Sequence, residues 1–234
     1  EYLNDFRIPA FFRPAIRRRL KALRRWDLST AKRVDTFLAN SKTTQERIQR
    51  IYHRESTVIP PPVDERFFPV TADRSGDYFL AAGRLVPYKK FDLLIETANA
   101  KNIRLKIAGW GQDEQRLRAM AGPSVEFLGH VPESDLPKLF AGAKALLFPQ
   151  IEDAGIVLRE ALATGTPCIA LGRGGALDAL TDDSAIFFGE QTVASVSEAL
   201  ERFSARSWNR AAIREQAREF CAERFRQSLL DIVQ

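Results

Sequence analysis

Glu152 and Glu160, in the stretch 146–175 (LLFPQIEDAGIVLREALATGTPCIALGRGG), are the carboxylates in this chain best spaced to hold a polar ligand. Glu152 falls in the loop after an apolar run, Ala145–Phe148, that reads as a buried strand, and Glu160 falls inside the helix that follows. Val157, Glu160, Ala161 and Thr164 keep the i, i+3, i+4, i+7 spacing of one helical face, so the Glu160 carboxylate is expected on the inward face, where it needs a partner. Arg173 is one candidate for that partner. Gly165 is expected in the left-handed position that closes the helix, and Pro167 prevents its continuation. Gly155, just before the helix, lets a ligand approach backbone N–H groups that carry the helix's partial positive charge. Lys89 and Lys90 sit where another helix begins, a place for a cation that is mildly unfavourable without an anion nearby.

The elements that must position these groups alternate. From Asp77 onward, strand-length apolar runs occur at Tyr78–Ala82, Leu105–Ala108, Val125–Leu128, Ala145–Phe148, Cys168–Leu171 and Ala185–Phe188. Helix-length segments lie between them at Phe91–Ala100, Asp113–Ala121, Glu133–Ala141 and Ile156–Ala163, with a shorter one near Ala176. This order predicts an α/β fold, a Rossmann-like doubly wound parallel sheet with right-handed crossovers. Ligands in such folds bind at the carboxyl ends of the strands. Gly83-Arg84, Gly109-Trp110-Gly111, Gly129-His130-Val131, Glu152 with Gly155, and Gly172–Gly175 all fall at those ends, so five loops are expected to converge on one crevice. The GWGQDE stretch breaks the G-x-G-x-x-G dinucleotide pattern at its third glycine and is expected to be a turn lining the cleft.

The first part of the chain has a different character. A basic amphipathic helix is predicted over 14–32, with Ile16, Leu20 and Leu23 on one stripe and Arg17, Lys21, Arg24 and Arg25 on another. Such a face is either solvated or laid on an anionic membrane surface. A strand is expected at Val34–Ala39, a helix capped by Ser41 running to Tyr52, and another strand at Ser56–Ile59. Pro60-Pro61-Pro62-Val63-Asp64 is stiff and extended, which suits an interdomain hinge. The resulting division is 1–65 as the end of one domain with its hinge, 66–220 as a ligand-binding α/β domain, and 221–234 as a terminal helix. Residue 1 is Glu and the sole methionine is Met120, so the chain is expected to begin partway into a longer polypeptide or after removal of a segment.

Composition narrows the classes. Of 234 residues, 45% are hydrophobic and 28% charged, an ordinary globular composition that can bury a core. No run approaches the roughly eighteen apolar residues that a membrane helix needs, and no signal-peptide core is present. Cys168 and Cys221 offer neither a disulfide framework nor metal spacing, which points to a reducing cytoplasm. His53 and His130 lack ligating neighbours and Asp182-Asp183 lacks the D-x-D form, so no metal and no cofactor are expected. The net charge of +5 gathers in one helix without aromatic platforms, which argues against nucleic acid.

Three motifs in this order resemble the retaining family-4 glycosyltransferases, group 1 type, of the GT-B architecture. Gly83–Ile95 (GRLVPYKKFDLLI) is similar to that family's GRLVPxKxxDLLI, Glu152 and Glu160 to its E-x7-E, and Gly172–Leu177 to its GxGGALE loop, with Asp178 in place of the Glu. Arg33–Ser41 and Val58–Phe67 are similar to the RVDxFxANS and VIxPPVDxxxF segments that close the acceptor-side domain. The resemblance implies the C-terminal half of a GT-B fold with a truncated N-terminal domain. It also implies that Arg84 and Lys89 bind the donor diphosphate and, with Glu152, are catalytic. Glu160 would bind the ribose and Glu152, with the amides of Gly155 and Ile156, the transferred sugar, while Gly83 and Val131 complete the donor site. Many members have Phe where this chain has Ala154. The RRWD and GRGGALD versions of the motifs look most like mannosyltransferases of cell-surface polysaccharide assembly, which makes a GDP-sugar, GDP-mannose, the first choice of donor and a UDP-sugar the second. The implied partners are the nucleotide-sugar donor, a saccharide or lipid-linked acceptor, the missing N-terminal domain in cis or trans, and an anionic membrane surface, with the protein peripheral on its cytoplasmic face. Two other classes are a non-catalytic nucleotide-sugar-binding module and a basic membrane-surface adaptor.

Overall fold

Short runs rich in apolar residues form the six strands of the sheet that organises residues 59–234; the inner ones are buried on both faces, whereas Lys106 and Glu126 interrupt the two at one edge. The computed structural model describes residues 10–70 and 76–233. The chain divides into two compact units, Glu1–Val58 and Ile59–Gln234.

In the first unit a 3-10 turn, Ala10–Phe12, leads into α1 (Arg13–Thr30), which has no buried residue and leaves Leu23 and Trp26 exposed. Its Asp27 carboxylate accepts a hydrogen bond from the Tyr52 hydroxyl at 2.8 Å. Helix α2 (Lys42–Tyr52) starts where the Ser41 hydroxyl accepts the Thr44 N–H at 3.1 Å, and ends at His53 in the left-handed region, φ 54°. The strands β1 (Leu38–Ala39) and β2 (Thr57–Val58) pair in parallel and are shorter than the sequence suggests. The carbonyls of Val34 and Asp35 accept from the Arg54 guanidinium at 3.0 and 2.8 Å, which takes them out of any ladder.

The second unit alternates as expected: β3 (Phe79–Ala82), α3 (Phe91–Lys101), β4 (Leu105–Ala108), α4 (Glu114–Met120), β5 (Val125–Gly129), α5 (Leu136–Ala141), β6 (Leu146–Phe148), α6 (Ile156–Ala163), β7 (Cys168–Leu171), α7 (Gly175–Ala179) and β8 (Ala185–Phe188). Three helices follow, α8 (Val193–Ser204), α9 (Arg210–Ala217) and α10 (Ala222–Val233). The strands are all parallel in the order β5-β4-β3-β6-β7-β8. The order reverses between β3 and β6, and it is outside the carboxyl ends of strands at such a switch point that a crevice opens.

Side chains alternate across the sheet and build a core on each face. Leu80, Leu146, Phe148 and Ala170 pack with Phe140, Leu158, Leu162 and Ile213, while Phe79, Leu147, Ile169 and Leu171 pack with Leu94, Leu117, Val196 and Leu200. Each fully buried Leu, Ile or Phe contributes about 1.5–3 kcal/mol relative to exposure. The helix expected from Glu133 begins instead at Leu136, because the Pro132 carbonyl accepts the Asp135 and Leu136 N–H groups in a turn and Pro137 occupies the first helical turn. Helix α6 ends as its sequence requires: Gly165 has φ +71°, and the Thr166 and Gly165 N–H groups return to the Ala161 and Leu162 carbonyls, each at 2.8 Å. Among the described residues no helix is long and apolar enough to cross a membrane.

Candidate functional site

A cleft of about 350 Å³ opens at the ends of β3, β4 and β5, against α5 and α6. Its floor is apolar, with Ala82, Ala108, Leu136, Phe140 and Val157, and its polar lining consists of Arg84, His130, Glu133 and Glu160. Gly83, Arg84, Val131 and Glu160, singled out from the sequence, therefore share one cavity. Backbone contacts stitch its three loops together. Gly83 N–H reaches the Ala108 carbonyl at 2.9 Å, Leu85 N–H the Trp110 carbonyl at 3.0 Å, and Gly109 N–H the Gly129 carbonyl at 2.8 Å. Gly109, at φ +134°, lies so near Gly83 that a Cβ there would stand 1.9 Å from its carbonyl oxygen.

Lys89 and Glu152, expected from the sequence to serve different parts of a ligand, form an ion pair of 2.8 Å. Lys89 closes the 3-10 turn Pro87–Lys89 and is only 9% exposed. Its ammonium is the anion-seeking charge foreseen at a helix start, and the anion it finds is the Glu152 carboxylate. Gly83, at φ +143°, makes room for it, since a Cβ there would lie 2.9 Å from Lys89 Nζ. The buried Gln150 amide stands 3.4 Å from the same Glu152 oxygen. The glycine loop backs this arrangement, with Gly175 N–H donating to the Glu152 carbonyl at 2.7 Å and a Cβ at Gly175 only 2.3 Å from the Asp153 carbonyl oxygen. Gly155 caps α6 with φ +60°. Ile156, the first residue of α6, is exposed and does not line the cleft.

Glu160 is half-buried, and loss of solvation, with the nearby Asp64 carboxylate adding to it, pushes its carboxyl group up to about 7. A carboxylate on the inner face of a helix needs a partner. Among the described residues its carboxylate has neither a hydrogen bond nor an ion pair, so nothing offsets the loss of solvation that favours its neutral form. Arg173 does not supply one, for its guanidinium faces the Gly189 carbonyl at 3.5 Å. Asp64 stays ionised: hydrogen bonds from the Arg66 side chain at 2.7 and 2.9 Å, and from the Arg66 backbone N–H, hold its carboxyl at about 2. Arg66 also donates to Glu133 on the cleft lining at 2.9 Å.

Arg159 was not foreseen, because an arginine on a short helix reads as a surface residue. It is 1% exposed, donates to the Ala154 carbonyl and lies 4.7 Å from the Phe220 ring centroid, so it holds the loop that carries Glu152 from behind. Burial pulls its guanidinium down to about 10, with the Asp178 carboxylate opposing. Among the described residues no group of three or more His, Cys, Asp or Glu is placed to hold a metal ion.

Residues 63–220 match the family model described as glycosyl transferases group 1. Mannosylfructose-phosphate synthase of Agrobacterium fabrum is 32% identical over 154 residues, 53% of this chain and 34% of the relative. A GDP-mannose-dependent monoacylated alpha-(1-6)-phosphatidylinositol monomannoside mannosyltransferase of Corynebacterium glutamicum is 30% identical over 198 residues, 71% of this chain and 52% of that one. The chain thus spans between about a third and a half of the length of these curated relatives. Anabaena HepE, solved with UDP and glucose, superposes with a TM-score of 0.76 at 17% identity, covering 90% of this chain and 66% of its own. Sucrose-phosphate synthase from Thermosynechococcus elongatus gives 0.75 at 18% identity over 91% of this chain and 61% of that one. At such identities the likeness concerns the fold, the Rossmann-like sheet of GT-B structures.

Proposed function

The chain belongs to the group 1 glycosyl transferases, and on that premise we propose that it binds a nucleoside-diphosphate sugar and takes part in transferring the sugar, with retention of configuration, to a saccharide or lipid-linked acceptor. The donor is GDP-mannose by preference, with a UDP-sugar second; two relatives are named as GDP-mannose-dependent mannosyltransferases. The acceptor binds to an N-terminal domain supplied in cis or in trans, of which residues 1–65 are the closing part. No metal or cofactor takes part in this scheme.

The observation that carries the proposal is the ion pair of 2.8 Å between Lys89 and Glu152, set under Gly83 beside a cleft lined by Arg84 and Glu160. An ammonium has three donors, so Lys89 can keep Glu152 and still serve diphosphate oxygens together with Arg84. Glu160 takes the ribose hydroxyls. Glu152 and the amides of Gly155 and Ile156 hold the sugar. The bond from the anomeric carbon to the diphosphate oxygen breaks on the face where the acceptor oxygen attacks, and the departing diphosphate accepts the acceptor's proton. Arg84 and Lys89 stabilise the charge that develops on it, which lowers the barrier more than it favours the bound donor.

Thermal melting tests the donor site without knowledge of the acceptor. A ligand at about a hundred times its Kd stabilises the native state by about 2.7 kcal/mol, a rise of about 5–10 °C for a protein of this size. GDP is expected to give the larger shift and UDP the smaller. Lys89→Ala should weaken both, and Glu160→Ala should weaken GDP while leaving pyrophosphate nearly unaffected. Absence of any shift with GDP, UDP or ADP at millimolar concentration, in protein shown to be folded, would overturn the proposal.

A further inference from the structure

Trp110 lines the cleft yet leaves 64% of its surface exposed, whereas Phe140, another aromatic on the same lining, is 1% exposed and belongs to the core. Most of the residue is thus free of the core, but its backbone is tightly held. The Trp110 carbonyl accepts from Leu85 N–H at 3.0 Å, Gly109 before it abuts Gly83, and a Cβ on Gly111 after it would stand 2.2 Å from the Leu85 carbonyl oxygen. A large planar ring is thus presented by a rigid turn, so little backbone entropy is lost when a second ring covers it. Arg84 and Glu160 lie on the same cleft, and the apolar floor beneath them suits a flat, weakly solvated group better than a second charge.

We infer that Trp110 is the stacking platform for the base of the bound nucleoside diphosphate, and that it favours a purine because the bicyclic ring covers more of the indole. This rests on the donor-site proposal above and adds to it the residue that grips the base. Every base has a π-face, so stacking discriminates by area more than by hydrogen bonding.

The test compares wild type, Trp110→Ala and Trp110→Phe in binding GDP, ADP, UDP and inorganic pyrophosphate, followed by melting temperature and tryptophan fluorescence. Trp110→Ala is expected to keep the unliganded melting temperature, since the side chain is mostly exposed. It should weaken GDP and ADP roughly ten- to a hundredfold, UDP less, and pyrophosphate not at all. Trp110→Phe should recover most of the loss. Stacking should quench the indole, and that quenching should vanish in Trp110→Ala although Trp26 and Trp208 remain. If wild type binds nucleotides and Trp110→Ala binds them equally well, the platform is wrong and the donor site stands. Equal weakening of pyrophosphate means that Trp110 acts only by shaping its loop, and overturns the inference. Equal weakening of GDP and UDP overturns the purine preference. Wild type that binds neither nucleotide nor pyrophosphate brings down the donor site and this inference with it.

Discussion

Glu160 carries a carboxyl group whose titration its surroundings move up to neutrality, and this makes the protein's stability depend on pH in a definite direction. Its ordinary value is 4.5 and its value in the fold about 7. Below the lower value both folded and unfolded chains are protonated at this site, and its contribution to stability is fully present. Between the two values the unfolded chain ionises while the folded one does not, so that contribution is lost as pH rises towards 7. The loss is on the order of 2 kcal/mol once partial solvent access is allowed for. Glu160→Gln removes the titration. It is expected to raise the melting temperature by about 4–8 °C at pH 8 and by little at pH 4.5, measured by calorimetry; the same shift at both values would exclude this origin. The gain in stability should come with weaker GDP binding, as is common where a strained group serves a ligand. The position of Glu160 on the inner face was legible from helical spacing. Its lack of a partner, and the pairing of Lys89 with Glu152, were not, because those depend on which loop ends a parallel sheet brings together.

Element boundaries in 77–188 were legible where the strands are continuous apolar runs: Cys168–Leu171 and Ala185–Phe188 lie where the sequence puts them. Burial on both faces leaves such segments no amphipathic alternative. The start of α5 was less legible, since Glu133, Ser134 and Asp135 suit a helix's first turn as well as the turn they form around the Pro132 carbonyl. The loops at the strand ends are fixed by glycines that accept no side chain. Gly109→Ala combines a backbone at φ +134° with a Cβ 1.9 Å from the Gly83 carbonyl oxygen, and is expected to cost about 3 kcal/mol or more. A urea midpoint lowered at unchanged m-value would show this; a midpoint within experimental error of wild type would mean that the loops are free to part.

The two units differ in how much they bury. In the unit of 59–234 the core lies on both faces of the sheet, whereas α1 in the other unit has no buried residue. Arg17, Lys21, Arg24, Arg25 and the exposed Trp26 are presented to solvent. As part of the proposed role with a lipid-linked acceptor, this helix is expected to bind anionic vesicles at about 1 kcal/mol per basic residue near the surface, weakening as salt rises. Sedimentation with phosphatidylserine vesicles checks it. Changing the four basic residues to Gln should abolish binding, and equal binding by both proteins would leave α1 an ordinary solvated face. The basic stripe was legible from composition, but the lack of any fully buried residue on α1 was not, because an apolar stripe predicts a covering partner as readily as an open surface.

The glycine contacts beneath the cleft carry a consequence for how such a site diverges. Gly109, Gly111 and Gly175 press backbone against backbone, leaving no atom that a substitution can alter by degrees. Variation in ligand preference is therefore confined to the side chains that stand on that frame, among them Arg84, Trp110, Val131 and Glu133. The frame can be inherited unchanged while those positions drift. Two chains can thus share the geometry of the cleft in full and still select different donors.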